Sequence, residues 1–122
     1  MHIHIGVIAA ILIVHYIADF VLQTDWQAKN KSSNNLALSK HVTVYATCMM
    51  VLGFFIFKLD QPRPILFMIA CFVCHWVTDW FTSRLNKYLW EHEKNTHNFF
   101  VSIGMDQLLH YAQLFITYLI LR

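Results

Sequence analysis

Charge is scarce in this sequence: Asp, Glu, Lys and Arg make up 13% of its 122 residues, about half the share of an ordinary soluble domain. The net charge of +2 is too small to imply a polyanionic partner, which excludes a basic nucleic-acid module. Cysteine is rare as well. Cys48, Cys71 and Cys74 all lie inside apolar runs, so there is no disulfide framework to read. No serine- or cysteine-type nucleophile motif is present. With 57% apolar residues and a mean hydropathy of +0.45, a disordered chain is excluded too. The length suffices for one domain, 1–122, with no linker inside it.

What is abundant is apolar sequence in long blocks. Residues 1–18 and 41–57 carry no Asp, Glu, Lys or Arg; 64–83 carry only Asp79, and 95–121 only Asp106. A bilayer-crossing helix needs about 20 mostly apolar residues. The pattern therefore predicts an all-α polytopic membrane protein, with four transmembrane helices at roughly 3–22, 41–58, 64–82 and 99–121 in one bundle. A soluble bundle would need a charged face on each helix, and none has one. The first block is not read as a signal peptide, because its start, Met1-His2-Ile3-His4, carries no Lys or Arg. Polar loops are expected at 24–40 and 83–98, the second partly helical, with a tight turn at 59–63 before Pro64.

Four spans put both termini on one side and both long loops on the other. The long loops hold Lys29, Lys31, Lys40, Arg84, Lys87 and Lys94; the opposite side holds Lys58, Arg63 and Arg122. This bias places the 24–40 and 83–98 loops in the cytoplasm and both termini outside, as in an integral protein of a bacterial inner membrane. Trp26, Trp80 and Trp90 sit at the loop-side boundary as interfacial anchors, with Trp76 one turn deeper as packing. Residues 15–20 (His-Tyr-Ile-Ala-Asp-Phe) and 75–80 (His-Trp-Val-Thr-Asp-Trp) match in type and depth, which points to duplication of a two-helix unit.

Charged groups inside a membrane mark functional sites by default. Asp19, Asp79 and Asp106 each have a His four residues away on the same helix: His15, His75 and His110. Residues i and i+4 share a helix face. At 1.5 Å per residue the acids and imidazoles lie roughly 6–18 Å inside the loop-side boundary, and His41 opens the second span at that same face. Three carboxylates cannot sit together uncompensated. One resolution is protonation within a hydrogen-bonded His–Asp network that fixes helix packing. The other is a bound cation. Mixed imidazole and carboxylate suits a divalent transition metal, Zn or Mn foremost and Fe or Co after them, rather than Mg or Ca. The expected ligands are His15, Asp19, His75, Asp79, Asp106 and His110, enough for one ion or for two bridged by an Asp. His41 is read as a seventh ligand or general base, Lys31 as a catalytic cation, and Gln23 and Gln107 as hydrogen-bond partners of the ligands.

Other features read more plainly. Cys71-Phe-Val-Cys74-His75 matches the c-type haem attachment pattern but lies inside an apolar helix, so the match is taken as accidental. His2, His4, His92 and His97 read as solvated, and Met49 and Met50 as gap fillers. Gly53 and Gly104 read as points of close helix approach. Lys29 and Lys31 could attract an anionic headgroup, or simply follow the positive-inside rule.

The series His15-x-x-x-Asp19-Phe20-x-Leu22-Gln23, Lys31, His41, His75-x-x-x-Asp79 and Asp106-Gln107-x-x-His110 resembles the pattern of small bacterial and phage membrane proteins grouped as a domain of unknown function, DUF3307. The resemblance spans nearly the whole chain and implies a four-span membrane protein with these motifs, without assigning an activity. The family pattern carries a Lys three residues after the second Asp, where this chain has Thr82, with Arg84 nearby. Such His/Asp bundles are loosely similar to membrane-bound metal-dependent hydrolases. The expected function is thus a membrane metalloenzyme hydrolysing a phosphate or acyl ester near the cytoplasmic leaflet, with a lipid or lipid-linked substrate and no nucleic-acid partner. The competing readings are a divalent-cation binding or transport protein, in which a homo-oligomer would form the path; a b-type cytochrome using His15, His41, His75 and His110; and a non-enzymatic membrane interaction protein.

Overall fold

The computed structural model describes residues 4–93 and 96–122. Every regular element among them is helical. Helix α1, Ile5–Tyr16, runs into a wider π turn, Ile17–Val21; α2 is Asp25–Asn30, and α3 is Asn35–Ile56. Helix α4, Arg63–Tyr88, also continues into a π turn, Leu89–Glu93, and α5 is Thr96–Leu121. His2 and Lys94 lie outside the described residues.

Local chemistry accounts for the boundaries. Thr24 caps α2 through a reciprocal pair with Gln27, its hydroxyl accepting from the Gln27 amide while the Gln27 side chain accepts from the Thr24 amide. Asn34 Oδ1 accepts from the amides of Leu36 and Ala37 and starts α3. This cap corrects the expected loop: α3 begins about six residues before the expected start of the second span, and α2 occupies part of 24–40. The polar residues there satisfy helix ends, so polarity did not mean irregular chain. Lys58 and Leu59, with φ of 54° and 60°, reverse the chain after α3. Pro64 then sits in the first turn of α4, where a missing amide costs nothing. The expected loop at 83–98 is largely helical, since α4 and its π turn run to Glu93.

Helix α4 packs along α3 on one side and α5 on the other, while α1 rests on α3. The half of the bundle away from α2 has an apolar core built from Ile11, Met49, Leu52, Phe67, Leu114 and Tyr118. Gly53 permits the close crossing of α3 and α4, because an added Cβ would lie 3.0 Å from Pro64 Cα. Gly104 has open space at its Cβ position, so its expected role in close approach does not hold. Trp76 ties α4 to α3 by donating to Ser39 Oγ at 3.1 Å. Lys40 lies over the Trp26 ring and Arg84 over the Trp80 ring, joining basic and aromatic groups at the α2 end.

The distribution of side chains is inverted. His15, Asp19, His41, His75, Asp79 and His110 are buried, whereas Ile13, Phe20, Phe55, Val73, Phe81, Leu108 and Ile120 face outward. Among the described residues two helices are long and apolar enough to cross a membrane, Asn35–Ile56 and Arg63–His92, which is α4 with most of its π turn. Only 28% of the most apolar stretch of the latter is buried in the protein, so its apolar surface faces outward. Ile5–Val21 is a shorter apolar helix. In α5 the apolar run is broken by Asp106, Gln107, His110 and Gln113.

Candidate metal centre

Four helices bring the expected residues together in the half of the bundle nearest α2. Asp19 comes from the π turn after α1, His41 from the second turn of α3, His75 and Asp79 from α4, and Asp106 and His110 from α5. The wider turn of a π segment changes which way a side chain points relative to the preceding helix, and here it carries Asp19 to His41 on the neighbouring helix.

The pairs that form are not those of the i, i+4 spacing. His75 Nε2 lies 3.5 Å from Asp79 Oδ2 on its own helix but 3.3 Å from Asp19 Oδ1. His110 Nε2 lies 3.4 Å from Asp106 Oδ1 but 3.0 Å from Asp79 Oδ1. His41, which has no Asp on its own helix, reaches Asp19 Oδ1 at 3.1 Å. The imidazoles therefore cross-link helices, and the own-helix clamps are the looser contacts.

One donor atom each from Asp19, His41, His75 and Asp79 lie within 4.8 Å of one another. Five of the six separations are resolved as short contacts. Asp19 Oδ1 is 3.1 Å from His41 and 3.3 Å from His75; Asp79 Oδ2 is 3.6 Å from His41 and 3.5 Å from His75; and the two Nε2 atoms are 3.3 Å apart. Four donors set tetrahedrally at zinc-like bond lengths of about 2.0–2.1 Å are about 3.3 Å apart. Five of the six edges of the group lie near that length. Asp79, Asp106 and His110 form a second group of three donors. Asp79 belongs to both, with Oδ2 turned to the first and Oδ1 to the second. A carboxylate placed this way can bridge two ions.

The four-donor group could hold a cation in place of a proton-linked network. His41 Nε2 and His75 Nε2 face each other and the same carboxylate oxygens. If both carry a proton, they oppose one another; if one lacks it, that nitrogen has nothing to donate to Asp19 or Asp79. A cation held there could accept a lone pair from each of the four side chains.

The remaining residues support the groups. His15 lies outside both. Its Nδ1 pairs with Tyr45 Oη at 3.0 Å and its Nε2 with Gln107 Oε1 at 2.9 Å, while Asp19 Oδ2 is 3.7 Å away. The two matching hexapeptides thus occupy unlike surroundings. Gln107 also donates to Asp19 Oδ2 at 3.2 Å and Asp106 Oδ2 at 3.1 Å, which orients both acids. Gln23 is half-buried, its Oε1 without a hydrogen-bond partner among the described residues. Lys31 reaches in from the chain after α2, with Nζ 2.8 Å from Asp79 Oδ2. Burial works against the Lys31 charge, but the Asp79 and Asp19 carboxylates outweigh it and hold its pKa above the ordinary lysine value.

Two contributors, Tyr45 and Gln113, were not singled out from the sequence, and Thr82 was noted there only as a departure from the family pattern. Tyr45 orients His15 and covers one face of His75, ring centroids 3.9 Å apart. Thr82 donates to Asp106 Oδ1 at 2.5 Å, and Gln113 donates to Thr78 Oγ1 at 2.6 Å. Tyr45 lies one turn beyond His41 on the same face of α3, and Thr82 three residues after Asp79. That spacing was the available signal.

Neither a curated protein nor a solved structure matches the chain. A family model described as "Protein of unknown function (DUF3307)" matches residues 7–122. The coverage takes in every donor of both groups, and the chain belongs to this family.

Proposed function

We propose that the protein is a membrane-embedded, metal-dependent hydrolase of an ester bond, with zinc or manganese held by Asp19, His41, His75 and Asp79 and a second ion by Asp79, Asp106 and His110. The observation that carries this reading is the set of five donor separations between 3.1 and 3.6 Å. A divalent ion there supplies Lewis acidity and an acidified water. Around it, Gln107, itself held by His15, orients Asp19, Thr82 and Gln107 hold Asp106, and Lys31 offers a cation to a developing anionic leaving group.

The inverted surface supports four spans in this reading. Ile5–Val21 extends about 26 Å and α5 about 39 Å at 1.5 Å per residue, against about 30 Å of hydrocarbon. The apolar run of α5 is interrupted by the residues it contributes to the buried site. The Lys-rich α2 end then faces the cytoplasm of a bacterial cell, with the site within reach of headgroups.

A cation transporter uses similar ligands, but the far half of the bundle is packed with Ile11, Met49, Leu52, Phe67, Leu114 and Tyr118, a core that favours a closed site over a through-path. A haem would need a porphyrin-sized slot. The cavity beside His75 and His110 measures about 10 Å³.

The test offers purified, zinc- or manganese-loaded protein in detergent a fluorescent lipid phosphoester and a fluorescent acyl ester. Turnover of one of them should require metal and fall more than about a hundredfold in Asp79→Asn, which removes the shared ligand. Metal uptake into proteoliposomes without turnover of either ester would overturn the hydrolase reading in favour of transport.

A further inference from the structure

A second feature adjoins the metal centre. At the α2 end, an open cleft of about 620 Å³ lies between the chain around α2 and the α4–α5 junction. Its lining includes Lys29 and Lys31 from the chain around α2, Ser83, Asn86, Lys87 and Trp90 from α4 and its π turn, and Phe99 and Phe100 from α5. Trp90 packs on Phe99 with ring centroids 5.0 Å apart.

Charge in the cleft is predominantly positive. Among the described residues Glu91 is the one lining carboxylate, 4.0 Å from Lys87 with both side chains about half exposed, a separation and exposure that make the pair weak. The cleft therefore keeps an excess of cations. Ser83 Oγ and Asn86 Oδ1 are buried without a hydrogen-bond partner among the described residues. Lys31 lines the cleft while its Nζ touches Asp79 Oδ2, so one side chain joins the cleft to both donor groups.

We infer that this cleft binds the phosphate group of a phosphorylated amphiphile, with the phosphate against Lys29, Lys31 and Lys87 and the first part of the apolar chain against Trp90 and Phe100. The volume falls in the range of clefts that hold whole organic ligands, far more than a lone phosphate fills. Trp90 and Phe100, 59% and 64% exposed, face outward at the Lys-rich end, where aromatic and basic residues meet headgroups. This inference rests on the proposed hydrolase and narrows its substrate from an ester in general to a phosphate ester beside the Lys31–Asp79 contact.

The experiment measures binding of dioctanoyl phosphatidate, dioctanoylglycerol and inorganic phosphate to the full chain in detergent, for wild type and for the Lys29→Gln/Lys87→Gln double variant. Metal content is assayed on the same samples. Phosphatidate should bind saturably and at least about tenfold more tightly than dioctanoylglycerol, and the double variant should lose about tenfold. Inorganic phosphate binding as tightly as phosphatidate, with the same loss in the double variant, would uphold the phosphate site but assign it to a free anion. Equal binding of dioctanoylglycerol, or no effect of the double variant, would overturn the inference. Because neither substitution touches a metal donor, a failure here with metal retained leaves the metal centre standing, whereas metal-free protein that still binds phosphatidate removes the hydrolase reading alone.

Discussion

Lys31→Met should lower the melting temperature by about 10 °C, and zinc should restore most of the loss. Among the described residues the Lys31 ammonium is the one Lys or Arg cation paired with the buried acids, 2.8 Å from Asp79 Oδ2 and with only 19% of its side chain exposed. Removing one partner of a buried ion pair costs about 3 kcal/mol or more, because the other charge stays behind. At about 3–4 °C per kcal/mol for a chain of this size, that is about 10 °C. A divalent ion at a hundredfold excess over its dissociation constant returns about 2.7 kcal/mol by mass action. The two terms are of equal size, so the experiment discriminates. If the acids and imidazoles only fix helix packing, the variant melts early and zinc leaves it there. Calorimetry or intrinsic fluorescence of detergent-solubilised protein, with and without zinc, reads the difference.

The second large effect concerns Asp79. It is the only residue in both donor groups, so Asp79→Asn removes a ligand from each, whereas Asp19→Asn and Asp106→Asn each touch one. Equilibrium dialysis should find zinc binding weakened at both sites in Asp79→Asn, by a hundredfold or more on the scale of losing a direct ligand rather than one of its supports. Asp106→Asn should retain the four-donor site, and Asp19→Asn should weaken it while sparing the three-donor group. Equal losses in all three variants would mean that the acids act through the general integrity of the bundle, and the division into two groups would fall.

The apolar blocks made the helical class legible, because a run without charge has few alternatives to a buried or membrane-facing helix. The i, i+4 spacing of His15, His75 and His110 from Asp19, Asp79 and Asp106 identified the site, and equal depth on neighbouring helices implied convergence. What spacing on one helix cannot carry is the rotation of each helix about its axis. That rotation decides that His75 and His110 meet carboxylates across the bundle, and that His15 turns to Tyr45 and Gln107 instead. The π turn at Ile17–Val21, which directs Asp19 to His41, leaves no mark in local composition. His41 stood alone in the sequence with no acid on its helix, so its membership in the four-donor group followed only from depth. The helix in 24–40 was hidden because Thr24, Gln27 and Asn34, which cap it and its neighbour, are the residues that also build turns.

The most direct measurement is the metal content and X-ray absorption spectrum of the wild-type protein after loading with zinc and exhaustive desalting. The account predicts at least one retained zinc per chain, coordinated by nitrogen and oxygen at about 2.0–2.1 Å without sulfur. Wild-type protein that emerges free of metal, with a melting temperature indifferent to zinc and to chelators, would contradict it.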